Sequence, residues 1–473
     1  MMPAGRSLAI FMDRLVARCF VTMLVVALFA LATPTESLAQ DTHYWANQIG
    51  NRARLLAGAV VGSPGDLSAV YYNPGGLALS HRAELVLAGL GVELSTIKGS
   101  HPDIPDRELE YRSASLAPGM FAGEIPLGAE SKHRFAYSAL TRFDVDMGMG
   151  AYSQLPDGAI EIPNVAFLSN RLTLDAKLSE YWGGGTWAYQ VQPSIGIGVS
   201  TFVVVRNQSA AYGDFSQALT TNNKALASVS DSEYSYQHWR LILKLGIAGE
   251  TDNWAYGLTV TSAGIGIGGS GDRYLSLTRV GQMLDVQGNP ITDIASTAQR
   301  DVTAKYRSPL SVGFGVSRAF NNIVLHAAGE FFAPVGEYVV VDSQPFESQT
   351  SGETIPTAVI DEADGVFNVA IGVEQIFNEG LKAYVGFHTD FSAATENPAA
   401  NLTYSQWDLY HIGGGATFNA MSTDFTLGVV AALGNSSVQQ EQDQAFPPVG
   451  LPNGTEMSIQ RITFILGFNF GFD

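Results

Sequence analysis

Cysteine is all but missing: Cys19 is the single one in 473 residues, and it lies in an N-terminal stretch with the features of a cleaved signal. A disulfide framework, a thiol nucleophile and a cysteine-based metal site are therefore excluded together. Charge is scarce too, at 15% of residues against ~25% in ordinary soluble domains. What charge there is leans acidic, with 26 basic and 45 acidic residues for a formal net of −19. Nucleic acid would be repelled, so no nucleic-acid partner is expected. Beyond the N-terminus no stretch approaches the ~20 apolar residues of a membrane-crossing helix. A chain of this kind can enter a membrane only as a closed barrel, where every backbone group is bonded between strands.

Residues 1–39 read as a secretory signal. Arg6, Arg14 and Arg18 precede an apolar run from Phe20 to Ala32, and Ser37-Leu38-Ala39 offers small residues for cleavage before Gln40. The run is too short to span a bilayer as a helix. Glycine, by contrast, is abundant, at 50 residues against an average near ~7%.

The richest signal is the C-terminal stretch EMSIQRITFILGFNFGFD. Ile462, Phe464, Leu466, Phe468, Phe470 and Phe472 alternate with Thr463, Ile465, Gly467, Asn469, Gly471 and Asp473. Successive side chains of a strand point to opposite faces, so one face here is greasy and the other small or polar. The pattern suits the lipid-facing wall of an outer-membrane barrel. From residue 83 onward such segments recur, separated by turns. In HRFAYSALTRFDVDMGMG, Phe135, Tyr137, Ala139, Phe143, Val145 and Met147 oppose Arg134, Ser138, Arg142, Asp144 and Asp146. Charges of both signs on one face suit a watery lumen. The short links at 250–253, 320–322, 378–380 and 420–423 read as the turns of one barrel end. The polar stretches 206–235, 278–306, 341–363 and 434–456 read as long loops of the other.

Residues 40–82 behave differently. Their alternation is broken by glycine and proline, Asp66 is placed to cap a short helical turn through Tyr72, and Pro74 forces Asn73 out of helix. They are expected to form a compact plug ahead of a barrel over 83–473.

The stretch GAVVGSPGDLSAVYYNPGGLAL resembles the hatch of FadL-like outer-membrane transporters of long-chain fatty acids and other hydrophobic compounds. Its turn is Asn73-Pro74-Gly75-Gly76, with Gly75 where the family usually has alanine. GETDNWAYGLTVTSA, SPLSVGFGVSR and LKAYVGFHTDFSAATENPAANLTYSQWDLYHIGGGATF fit the same family in order and spacing. The resemblance implies an all-β, monomeric, antiparallel transmembrane barrel of about fourteen strands, roughly 28 residues per strand with its loop, plugged by the hatch. It also implies passive uptake of a hydrophobic ligand through a hatch-dependent opening in the barrel wall, with outer-membrane lipid around the barrel and no catalysis or cofactor. A similar N-terminus occurs in PorV-like barrels, which shuttle or anchor secreted proteins, so a protein-secretion scaffold with a secreted partner is the alternative. An open general porin is a third. The terminal Asp473, beyond Phe472, departs from barrel insertion signals that end on the aromatic.

For a fatty-acid carrier the useful side chains are lumenal cations that meet a carboxylate. By alternation Arg142, Arg240 and Lys244 share the face opposite the greasy positions; salt bridges to Asp144, Asp146 and Glu250 are the structural alternative. Asn73, Pro74, Gly75 and Gly76 are the candidate gating residues, their glycines permitting backbone geometry that gating could use. Other chemistry is unmarked. Gly264-x-Gly266-x-x-Gly269 lies in a strand pattern rather than between a strand and a helix. The eight histidines have no metal-ligand spacing, and no serine sits in a nucleophile elbow. No metal is expected.

Overall fold

The structure, a computed structural model, describes residues 43–472 apart from 81–82, 90, 102–103, 118, 129–130, 157–164, 285–289, 396–406, 421 and 438–455. The expected signal segment, most of the 434–456 loop, part of the FadL-like stretch at 396–406 and Asp473 lie outside the described residues.

The wall is built of antiparallel staves. The first two are each divided: β1 (Ala83–Ala88) runs on into β2 (Val92–His101), and β3 (Ile104–Leu116) into β4 (Met120–Ile125). Four long strands follow, β5 (His133–Pro156), β6 (Val165–Gln192), β7 (Ile195–Thr220) and β8 (Ala225–Glu250). Two more divided staves are β9 (Trp254–Thr261) with β10 (Ile265–Leu284), and β11 (Pro290–Thr303) with β12 (Ser311–Phe320). After β13 (Ile323–Phe332) come four small strands, β14 (Val335–Val341), β15 (Phe346–Glu347), β16 (Thr354–Ile355) and β17 (Val359–Ala363), which pair off as two hairpin ladders. The wall resumes with β18 (Val366–Asn378), β19 (Leu381–Asp390), β20 (Asp408–Ala420), β21 (Thr423–Ser437) and β22 (Glu456–Phe472). β22 pairs back onto the first stave, Phe470 opposite Leu85 and Gln460 opposite Thr96, which closes the ring. The eighteen strands of this sheet make a closed barrel of 14 staves.

The outward face carries the greasy belt. Phe464 and Leu466 are exposed while Ile465 between them is buried, as the alternation of the C-terminal strand requires. Phe135, Leu245, Leu258, Leu325, Ile371 and Val385 extend the belt around the barrel. The links at 251–253, 321–322 and 379–380 each join neighbouring staves at one end.

Two expectations are corrected. Residues 206–235 are not a loop: β7 and β8 stay paired to Leu219 and Ala225 and turn only at 221–224. Residues 278–284 and 290–303 are likewise strand. Above the lipid both faces of a strand meet water, so the greasy signature vanishes although the hydrogen-bond ladder continues. The second correction concerns β5. A bulge between Thr141 and Phe143 exchanges its faces. Phe135, Tyr137 and Ala139 point outward, whereas Phe143 and Met147 are buried and Asp144 and Asp146 are exposed. Above this level β3 and β5 part, held by Thr141 N donating to Gly119 O and by Tyr111 OH donating to Asp146 O.

Residues 43–80 form no strand. They fold into three short helices, α1 (Asn51–Leu55), α2 (Ala69–Tyr72) and α3 (Pro74–Leu77), which touch staves on opposite sides of the ring and so lie inside it. Ile49, Leu55, Leu56, Val60 and Val70 are wholly buried there, packed in one core with Trp182, Phe202 and Ile242 of the wall. These residues therefore pack across the lumen at that level.

Candidate functional site: hatch, ion cluster and wall

The hatch turn follows from local chemistry. Asp66 Oδ1 accepts from Ser68 N, and α2 begins one residue later. Burial lifts the Asp66 carboxyl above its ordinary value, opposed by its bonds to Ser68. Asn73 is extended, as the following proline demands, and its Oδ1 accepts from Gly75 N to cap α3. Pro74 takes the first helical position, where its missing N–H costs nothing. Asn73 Nδ2 donates to Val61 O at 2.9 Å within the hatch and to Ile247 O of β8 at 3.0 Å. One buried side chain thus ties two hatch segments to the wall. Asn73→Ala would strand these partners at a cost of about 1–3 kcal/mol. The expected outcome is faster hydrogen exchange across residues 60–78, with the barrel still folded.

Gly75 and Gly76 sit in a right-handed helical turn, so unusual backbone freedom is not their use. A Cβ on Gly75 would stand 2.8 Å from the carbonyl oxygens of Gly196 and Gly246. The wall glycines and Gly75 allow the hatch to lie against bare backbone, which gives the family's alanine no room here. Gly76 packs in the same way on Pro64.

The predicted cations come together with partners other than those expected. Arg142, Arg206 and Arg240 converge on Glu180, at 3.5, 3.1 and 2.7 Å, and the Glu180 side chain is wholly buried. Asp146 pairs instead with Lys177, both about two-thirds exposed, because the bulge turned it away. Lys244 lies over the Tyr71 ring at 4.9 Å. Tyr71 also meets Trp182 edge-on, and Trp182 Nε1 donates to Glu180 at 2.7 Å. The hatch turn and the ion cluster are therefore one connected unit, through Tyr71 and Trp182. Arg142 adds a direct tie, donating to Tyr44 O.

Other anchors were not visible in the sequence. Arg52 of α1 bonds Glu374 of β18 at 2.6 Å and also donates to Ser63 O and Pro64 O. Trp45 N donates to Asp390, His388 contacts Trp45 O, and Asn51 Nδ2 donates to Asn469 Oδ1. Arg206 was hidden by reading 206–235 as loop. Its signal is the one that revealed Arg142, a lone charge on the inward side of an alternating strand. At the short-turn end, a pocket of about 390 Å³ has a polar lining that includes Asp66, Glu84, Glu379 and Asp424. Gly264, Gly266 and Gly269 lie at and within the start of β10, with no helix after them. Among the described residues no group of three or more His, Cys, Asp or Glu is placed to hold a metal.

No protein-family model matches the chain, and no curated protein matches it in sequence. Solved structures do match in fold. A Pseudomonas aeruginosa FadL homologue is 12% identical over 91% of this chain and 100% of its own, with TM-score 0.58. The Pseudomonas putida toluene transporter TodX is 14% identical over 93% and 100%, with TM-score 0.54. The Ralstonia pickettii toluene transporter TbuX is 13% identical over 90% and 99%, with TM-score 0.50. The chain has the fold of a FadL-like outer-membrane transporter.

Proposed function

We propose that this protein passes hydrophobic compounds, long-chain fatty acids first among them, passively across the outer membrane. The observation that carries the reading is the filled lumen: a hatch with its own apolar core, tied to the wall by a few polar contacts, suits a gated path and not an open aqueous pore. Toluene transporters share the fold, which supports a hydrophobic ligand. The buried cations Arg142, Arg240 and Lys244 favour a hydrophobic acid over a hydrocarbon. Loop aromatics collect the ligand, the cations hold its carboxylate, and movement of the hatch around Asn73, Pro74, Gly75 and Gly76 releases it. The parting of β3 from β5 gives the wall a break through which it can leave.

Liposomes holding the purified barrel test this. A long-chain fatty acid is accelerated and a small sugar is not. Acceleration of both means an open pore, and acceleration of neither overturns transport in favour of a protein-binding role.

A further inference from the structure

Two apolar cores are stacked along the lumen, with the ion cluster between them. Three neighbouring staves show the same order on their inner faces: Trp182, Glu180 and Leu174 on β6, Phe202, Arg206 and Tyr212 on β7, Ile242, Arg240 and Tyr234 on β8. The first of each belongs to the hatch core, and the last to a second core farther from the short turns.

The chain itself fills this second core. Residues 333–365 leave the wall after Phe332 and rejoin it at Val366, and those two residues are paired on β13 and β18. The whole excursion, with its β14–β17 and β15–β16 ladders, therefore hangs from a single rung. Its Val340, Val341 and Val359 pack in one core with Leu174 of β6, Tyr212 of β7 and Leu409 of β20, which come from opposite sides of the ring. The excursion thus reaches across the lumen.

Polar ties clasp it to one flank, β10, β11 and the stretch after them. Lys305 N donates to Val340 O at 2.8 Å and Asp342 N to Thr303 O at 2.9 Å. Gln299 Nε2 donates to Gln344 O at 2.6 Å, and Arg273 Nε to Thr357 O at 3.0 Å. Toward β6 and β7 the contact is apolar packing, which has no direction and which another apolar surface can replace.

We propose that residues 333–365 are a flap that swings on this neck to admit a hydrophobic ligand at the end opposite the short turns. The ligand covers the inner apolar faces that the flap uncovers, which offsets the cost of opening; a sugar offers no such exchange. The flap opens intermittently, so the hatch remains the constant seal. The inference rests on the transport reading above and adds to it a selective step at entry, separate from the hatch.

A lock on the clasp tests it. Ala304 and Val341 face each other as an antiparallel pair flanked by the two backbone bonds just given. In such a non-hydrogen-bonded pair the Cα atoms stand about 4.5 Å apart, within reach of a disulfide. Palmitate uptake into liposomes is measured for wild type and for oxidised and reduced Ala304→Cys/Val341→Cys, each checked for the folded form on unheated gels. The oxidised variant loses most of its uptake and dithiothreitol restores it. Full uptake with the bond shown intact by mass spectrometry overturns the flap while leaving transport standing. No uptake by wild type overturns transport itself, and the flap with it. Should the double variant not fold, Val341→Cys alone decides. Position 341 is wholly buried, so its thiol meets a water-soluble maleimide when the flap is open, and palmitate speeds the reaction. A rate that palmitate leaves unchanged overturns the flap.

Discussion

Glu180→Gln loses the folded barrel under conditions in which the wild type keeps it. The Glu180 side chain is wholly buried and is met by three guanidiniums, so the substitution removes the buried carboxylate they share. Breaking one buried ion pair by removing a partner costs about 3–5 kcal/mol, against a total stability of roughly 5–15 kcal/mol for a typical domain. The effect is read as a lower urea midpoint and an earlier loss of the fast-migrating band on unheated gels. Adding Arg240→Met to Glu180→Gln recovers part of the loss, because it removes one of the guanidiniums that shared the carboxylate and refills its space. Asp146→Asn is the matched control. Its partner Lys177 is as exposed as it is, and such pairs contribute little. Equal effects for the two acidic sites would refute the claim that the cluster is a structural centre.

Arg52→Ala turns the closed barrel into a leaky one. The Arg52 guanidinium joins three bodies: its own helix, the hatch segment through Ser63 O and Pro64 O, and the wall through Glu374. Hydrogen bonds involving a charged group contribute about 1.5–3 kcal/mol each, so losing roughly 3 kcal/mol raises the open population about a hundredfold. Glu374 is left nearly buried, with His326 at 3.5 Å and Lys382 at 3.6 Å as its remaining partners. Conductance steps in planar bilayers and entry of a small sugar into liposomes are the readouts. Arg52→Lys restores little, since a point charge cannot bridge three partners at once. A variant as tight as wild type would place the seal elsewhere in the hatch.

The parts legible in the sequence were those set by local rules. The C-terminal strand declared its lipid face because the bilayer allows no polar group there, and the tight links declared themselves by brevity. Asn73 left helix because Pro74 permits nothing else. What failed was long-range or single-residue information. Arg142 was correctly placed on an inward face, but Glu180 is its partner only through the register of β5 on β6, which no local pattern encodes. One bulge residue moved Asp144 and Asp146 out of the lumen. The upper halves of β7 and β8 look like loop in the sequence because greasiness belongs to the lipid and not to the ladder. Gly75 was noticed, and its reason was a wall approaching from more than a hundred residues away.

The unequal lengths of the staves have a consequence for the rim of the barrel. β6 has 28 residues, about 90 Å along its length, whereas β13 has 10, about 33 Å. Only ~9–11 residues are needed to cross the bilayer. One arc of the wall therefore stands as a high palisade, while β13 is no longer than a bilayer crossing requires. Tyr212, Tyr234 and Tyr236 are buried on the inner side of the palisade, together with Val340 and Val359 from the hairpin strands after β13.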